Sequence, residues 1–378
     1  MKKVVVVIDS FKGSLSSTEA EIAAEEGIRM VCPECEVVRI PIADGGEGIL
    51  DVLVEALGGN YHRIVASDPM MRPIHARYGV ANDGQTAIIE MAAVSGLTLL
   101  AEDERNPMLT TTFGTGELIV DALNKGCRHF IIGLGGSATN DAGIGMLQAL
   151  GFRFIDHEGR SLGLGSGKMM EQVYSIDCSS VHPDLDKADF TVACDVRNPF
   201  YGPQGAAFVF ARQKGADDEM IETLDRGMKA FAQKIFRTTG IDLNSQPGAG
   251  AAGGLGGGLV AFLNAKLQPG IDLVLQILDF EKQIEGADLI FTGEGKVDSQ
   301  TTMGKVPFGV LKAAKSKNIP VVVIGGSIED SMSMLQQGFK GAFSIVQGPI
   351  TLEKAMQHQS AIINVRNTVA QIISLLHS

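Results

Sequence analysis

The chain has 378 residues and carries 44 acidic side chains against 32 Lys and Arg, a formal net charge of −12. Such a surface argues against nucleic acid or an anionic membrane as partner, since both repel it, and no segment approaches the roughly 20 apolar residues of a membrane span. Small molecules are the expected partners, and an acidic chain that handles phosphates must concentrate basic groups or a metal at the site itself, so each lysine or arginine beside a glycine loop carries weight.

The length predicts two domains. The first six-residue run, KVVVVI (3–8), reads as a central strand buried on both faces, typical of parallel sheets. A helix over 17–30 follows, with Ser16, Ser17 and Thr18 to cap it and Glu19 and Glu21 in its first turn. Cys32 and Cys35 have redox or metal spacing but no second pair, and read as an ordinary helix-to-strand turn. The five cysteines are odd and sparse, and Asp9 cuts the N-terminal apolar run far short of a signal sequence, so a cytoplasmic protein is expected. A strand over 37–42 and a helix over 47–56 complete a β-α-β-α opening.

After Gly59 the pattern changes to YHRIVASD, IHARYGVAND and TAIIEMA, separated by turn residues, which predicts an antiparallel meander. Alternation returns with helix 116–125, strand 129–132, helix 141–150, strand 190–193, helix 217–239 and a glycine-dense entry to a helix over 259–267. The strand ADLIF (287–291), helix 307–317, strand 320–324, helix 331–337, strand 342–346 and helix 361–376 follow. The first two strands and the last three assemble into one flavodoxin-like parallel sheet. This makes the fold α/β, with residues 1–65 and 285–378 forming a discontinuous domain and 66–284 an inserted α/β domain carrying the meander.

Ligands gather at the carboxyl ends of such strands. TGEGKVDSQTTMGK (292–305) reads as a loop before a helix, in which Gly293 and Gly295 let backbone amides approach a phosphate while Glu294 and Asp298 offer the hard oxygens that Mg²⁺ requires. DSFKGS (9–14) leaves the first strand with Asp9, Ser10 and Lys12, the lysine suited to an anion; a capped turn is the competing reading. Asp44 and Glu47 flank paired glycines after the second strand. GLGGSATND (133–141) is the sharpest phosphate-loop candidate, through Gly135, Gly136, Ser137 and Thr139. It contains G-x-G-x-x-A with Asp156 further on, so a dinucleotide fold competes. In CDVRNP (194–199), Asp195 can accept a proton from a hydroxyl and Arg197 can fork onto a carboxylate or phosphate; a plain salt bridge competes. PGAGAAGGLGGG (247–258) offers Gly253, Gly254 and Gly256 to phosphates, with a hinge or close helix packing as the alternatives. Walker-type G-x-x-x-x-G-K-[ST], kinase H-R-D and D-F-G, G-x-S-x-G and H-E-x-x-H patterns are all missing, which leaves glycine loops and carboxylates to build the site.

DSFKGSLSS (9–17), ADGGEG (43–48), GLGGSATNDAG (133–143), CDVRNPFYGPQGA (194–206), GAGAAGGLGGGL (248–259) and TGEGKVDSQT (292–301) together resemble the signatures of the bacterial glycerate kinase family, the class that makes 2-phosphoglycerate. The resemblance implies ATP-dependent phosphorylation of D-glycerate with Mg²⁺, on a flavodoxin-like domain with an inserted second α/β domain, and a cleft between the two as the site. It leaves individual roles to chemistry. The triphosphate is expected on the glycine loops and Mg²⁺ among Asp44, Glu294 and Asp298. Lys12 and Arg197 are expected on the glycerate carboxylate or the transferring phosphoryl, with Asp9 and Ser10 also in the substrate site, and Asp195 on the acceptor hydroxyl. A nicotinamide-dependent hydroxy-acid oxidoreductase and a sugar-acid binding module without turnover are the rival functions, and a homodimer stays open as an assembly.

Overall fold

The structure is a computed structural model that describes residues 1–43, 48–298 and 305–376. Among these the strands are, in chain order, β1 (Lys3–Ile8), β2 (Glu36–Arg39), β3 (Asn60–Ser67), β4 (Pro73–Val80), β5 (Thr86–Glu90), β6 (His129–Gly133), β7 (Arg153–Ile155), β8 (Ser175–Asp177), β9 (Asp189–Ala193), β10 (Lys266–Gln268), β11 (Leu289–Val297), β12 (Val321–Ile328) and β13 (Gly341–Ser344). By their contacts they divide between two compact units, Met1–Asp44 with Ile271–Ser378, and Gly45–Gly270.

The first unit holds a five-stranded, all-parallel sheet in the order β2-β1-β11-β12-β13, the doubly wound flavodoxin-like order. β1 lies inside the sheet because its valines leave it no polar face, and Val4 through Ile8 are fully buried. The helix Ser17–Val31 opens on a capping box: the Ser16 hydroxyl accepts from the Glu19 amide at 3.3 Å, and the Glu19 carboxylate accepts from the Ser16 amide at 2.9 Å. It lies against helix His358–Leu376 so closely that a Cβ on Gly27 would sit 2.3 Å from the Arg366 carbonyl oxygen. Ser17 Oγ donates to the Ile8 carbonyl at 2.6 Å and accepts from the Ile42 amide at 3.1 Å, tying the end of β1 to the segment after β2.

Two sequence expectations change here. Cys32 ends the first helix and is disulfide-bonded to Cys35 with Cα atoms 5.5 Å apart, so the helix-to-strand turn is covalently closed. The TGEGKV segment is not a loop: β11 runs on to Val297, with Lys296 and Val297 paired to Ser327 and Ile328 of β12. Gly293 and Gly295 are therefore strand residues. A Cβ on Gly293 would meet the Ile324 carbonyl oxygen at 2.4 Å, which makes this glycine a requirement of strand packing.

The second unit holds a six-stranded mixed sheet in the order β10-β9-β6-β5-β4-β3. β3, β4 and β5 form the antiparallel meander, while β5, β6, β9 and β10 run parallel. Helix Ile49–Ala56 and β3, which the sequence placed before a boundary at residue 65, have their contacts in this unit; a Cβ on Gly79 of β4 would meet Val54 Cγ2 at 2.2 Å. The glycine-dense stretch is helical earlier than expected, over Leu255–Leu263, and 266–268 is the unforeseen edge strand β10. Close packing overrides helix propensity there: a Cβ on Gly257 would lie 2.6 Å from the Phe200 ring, and one on Gly258 would lie 2.8 Å from the Ala142 carbonyl oxygen. No described helix is long and apolar enough to cross a membrane.

Candidate functional site

In the second unit the register pairs Glu90 with Gly133 and Gly133 with Ala193, so the loops after β6 and β9 leave neighbouring strands at the same carboxyl edge. A cavity of about 370 Å³ opens there. Its wall combines Gly135, Gly136 and Ser137 from the β6 loop, Asp195 from the β9 loop, Lys214, and an apolar side that includes Phe210. The structure thus brings together Asp195 and three of the predicted phosphate-loop residues.

The β6 loop is pinned through its carbonyls. Gly136 O accepts from the Leu97 amide at 2.8 Å, Ala138 O from the Thr110 hydroxyl at 3.0 Å and Thr139 O from the Lys214 ammonium at 2.7 Å. The amides of Gly135, Gly136 and Ser137 donate to no protein acceptor among the described residues. Gly136 has φ +69°, the left-handed backbone that glycine adopts freely. A run of unused amides on a glycine turn is an anion-binding concavity. Thr139 itself is fully buried behind the loop, and its carbonyl rather than its hydroxyl has the function.

Asp141, at the end of the same loop, is fully buried. Its Oδ2 accepts from the Thr112 amide and hydroxyl, both at 2.8 Å, and from the Gly145 amide at 3.1 Å. Burial pushes this carboxyl above its ordinary range, against those hydrogen bonds. It is a structural clamp on the loop. Asp195 is exposed on the cavity side, and its Oδ1 accepts from the Gly270 amide at 2.9 Å, which fixes the carboxylate where β10 ends. Arg197, two residues on, is exposed and is not part of the cavity wall.

Gly253 and Gly254 are buried with φ +67° and +89°; a Cβ on Gly253 would lie 2.1 Å from the Thr139 carbonyl oxygen and one on Gly254 would lie 2.7 Å from Met228. Gly256 is buried, and a Cβ on it would lie 2.8 Å from the Gly248 carbonyl oxygen. These three glycines let the helix entry nest under the β6 loop, and the cavity wall takes Ala251 and Ala252 from this run instead. Lys214 escaped the sequence reading. Its signal was Lys214-Gly215, a lysine beside a glycine, and Gly215 indeed has φ +95°.

In the first unit the strand ends collect a second polar group. Ile8 pairs with Gly293, and the Asp9 amide donates to the Gly293 carbonyl at 2.9 Å, so Asp9, just past the end of β1, lies beside Glu294 of β11. Both are nearly buried, at 7% exposure each. Asp9 Oδ1 accepts from the Ser10 amide at 2.7 Å, and Glu294 pairs with Lys305, another lysine the sequence reading passed over, at 3.2 Å. Lys12 is exposed, and its amide lies 3.5 Å from where a Gly295 Cβ would be.

Of the expected metal set, Asp44 lies outside the described residues, Glu294 lies within β11 and Asp298 lies just after its end at Val297. Asp298 pairs with Lys296 at 3.3 Å. Among the described residues no group of three or more His, Cys, Asp or Glu is placed to hold a metal. Asp9 and Glu294 offer carboxylate oxygens, the ligand type that Mg²⁺ takes. The dinucleotide alternative loses its ribose ligand. Asp156 follows β7, which pairs only with β8 in a separate ribbon, and it is held in a turn by the Glu158 and Arg160 amides at 2.8 and 2.9 Å.

Comparison with known proteins shows the family of the chain. The model of the Glycerate kinase family matches residues 4–377. A glycerate kinase of Bacillus subtilis is 48% identical over 94% of this chain and 93% of its own. A glycerate 2-kinase of Escherichia coli is 43% identical over 94% and 93%. The crystal structure of a putative glycerate kinase 2 from Salmonella typhimurium superposes with a TM-score of 0.89 at 42% identity, covering 100% of this chain and 98% of that one.

Proposed function

Because this chain belongs to the glycerate kinase family, we propose that it transfers the γ-phosphoryl group of ATP to the 2-hydroxyl of D-glycerate, giving 2-phosphoglycerate and ADP. The observation that carries the reading is the cavity in which the unused amides of Gly135, Gly136 and Ser137 share a wall with Asp195. The amides receive the polyphosphate, and the apolar side with Phe210 receives the base. The acceptor oxygen bonds to the γ-phosphorus as the bond from that phosphorus to the β–γ bridging oxygen breaks. The hydroxyl proton passes to Asp195, which the Gly270 amide holds in place. Transfer of this kind depends on alignment and charge neutralisation more than on covalent help.

Mg²⁺, when bound, would neutralise phosphate charge, with Asp44, Glu294 and Asp298 as its candidate protein ligands and Asp9 as a further one. Lys12, Ser10 and Arg197 are assigned to the glycerate carboxylate and the transferring phosphoryl. A cytoplasmic location is part of the proposal, because ATP is the donor.

Asp195→Asn tests the base. Turnover is expected to fall by about 10²-fold or more with ADP affinity within twofold of wild type, and unchanged turnover removes Asp195 from that role. NMR of the product from ATP and D-glycerate tests the reaction as a whole, since phosphate appearing on the 3-hydroxyl, or none transferred, contradicts it.

A further inference from the structure

Lys214 has no part in the reaction as just described, yet its placement is costly. It is 1% exposed, follows a short helix with its neighbour Gln213, and forms part of the cavity wall beside Ser137. Its Nζ donates to Ser137 Oγ and to the Thr139 carbonyl, both at 2.7 Å. An ammonium has three donors, and among the described residues the third has no protein acceptor. Nor does any carboxylate among the described residues touch it: Asp141 acts on it through space, behind the loop, with its oxygens committed to Thr112, Gly143 and Gly145. Asp195 shares the wall but is held by Gly270, and the neighbouring Arg212 is turned to Asp218 at the surface. A buried cation without a counter-ion is a site for an anion. The glycine loop above it, Gly133 to Asp141, contains no basic residue of its own.

We propose that Lys214 is the polyphosphate-binding cation of this cavity, two of its N–H groups fixing the glycine loop through Ser137 and Thr139 and the third meeting a phosphate oxygen of the nucleotide. The proposal rests on the assignment of the nucleotide to this cavity. Desolvation supports it, because burial pushes the amine down to about 7 against the pull of Asp141. Near neutral pH the empty cavity therefore holds this lysine partly uncharged, and an arriving phosphate restores the proton. Nucleotide binding should take up protons.

The test is calorimetric titration of ADP and of adenosine into wild type, Lys214→Met and Ser137→Ala, each checked for folding by circular dichroism. Lys214→Met is expected to weaken ADP at least about tenfold and adenosine less than about twofold, since adenosine lacks the phosphates. Ser137→Ala, which removes one acceptor and keeps the cation, is expected to weaken ADP by about threefold. At pH 7.5, heats in Tris and in Hepes should differ for wild type by the ionisation of a proton taken up, and the difference should vanish in Lys214→Met. Equal loss of ADP and adenosine would mean that the lysine only packs, and undiminished ADP affinity would overturn the proposal outright. If Lys214→Met does not fold, wild type without proton uptake and Ser137→Ala with unchanged ADP affinity reject it equally. The chain has no tryptophan, so Phe210→Trp separates the two levels. Emission indifferent to ADP that calorimetry records as bound rejects the cavity as the nucleotide site. Responsive emission with ADP affinity unaltered by Lys214→Met rejects the lysine alone.

Discussion

Asp195 and Lys214 share a cavity wall, but the fold treats their charges in opposite ways. The carboxylate is exposed, and the Gly270 amide donates to it at 2.9 Å. The ammonium is sealed, and burial moves it from its ordinary 10.5 to about 7. Linkage fixes the consequence for stability. The folded chain holds this proton less tightly than the unfolded chain, so between about pH 7 and pH 10 unfolding takes up a proton and stability rises with pH. Below about pH 7 the lysine is charged in both states and the full penalty of burial is felt. Urea melts of wild type at pH 6.5 and 9 should therefore differ by a component that Lys214→Met removes, and identical pH dependence in the two would contradict a sealed ammonium. Asp141 adds the opposite slope nearer its own range, since a carboxyl raised by burial loses stability as pH climbs past the ordinary carboxylate value.

At the scale of elements, backbone geometry rather than ligand chemistry accounts for much of the glycine. The helix Leu255–Leu263 lies close to Phe200 and Ala142 only because Gly257 and Gly258 have no Cβ, and its entry turns through left-handed Gly253 beneath the β6 loop. Gly253→Ala combines a positive φ with a 2.1 Å approach to the Thr139 carbonyl oxygen, and should cost about 1–3 kcal/mol or more in thermal melts while weakening ADP, because Thr139 is also a Lys214 acceptor. Ser16→Ala offers a contrast in the first unit. Losing the capping box of helix Ser17–Val31 should cost about 1 kcal/mol and leave ADP affinity untouched. A normal melting temperature for Gly253→Ala would return that glycine to the list of ligand-contacting residues.

At the scale of the molecule, the two larger sheets have separate cores: Val4, Val6, Phe291 and Ile324 lie in one, and Phe130, Phe190, Met228 and Phe231 in the other. Each unit buries enough to melt as its own cooperative block, so calorimetry of the full chain should resolve two transitions. ADP should raise the transition of the Gly45–Gly270 unit, by the mass-action stabilisation that binding to a folded state provides. A single transition, or a shift confined to the other unit, would contradict this.

The sequence by itself determined the sheet-and-helix alternation, the flavodoxin-like strand order, the meander and the placing of Gly135, Gly136, Ser137 and Asp195 at strand ends. Each of these follows from local signals: β-branched runs, caps, turn residues and the rule that loops leave parallel strands at their carboxyl ends. Only the tertiary structure decided what a glycine is for, because a ligand and a neighbouring carbonyl ask the same thing of a missing Cβ. It likewise extended β11 through Glu294 to Val297, and set Asp9 beside Glu294 through strand pairing. It also found Lys214, whose importance lies in burial and an unmatched donor, quantities that exist only once residues 135–139 have folded over residue 214.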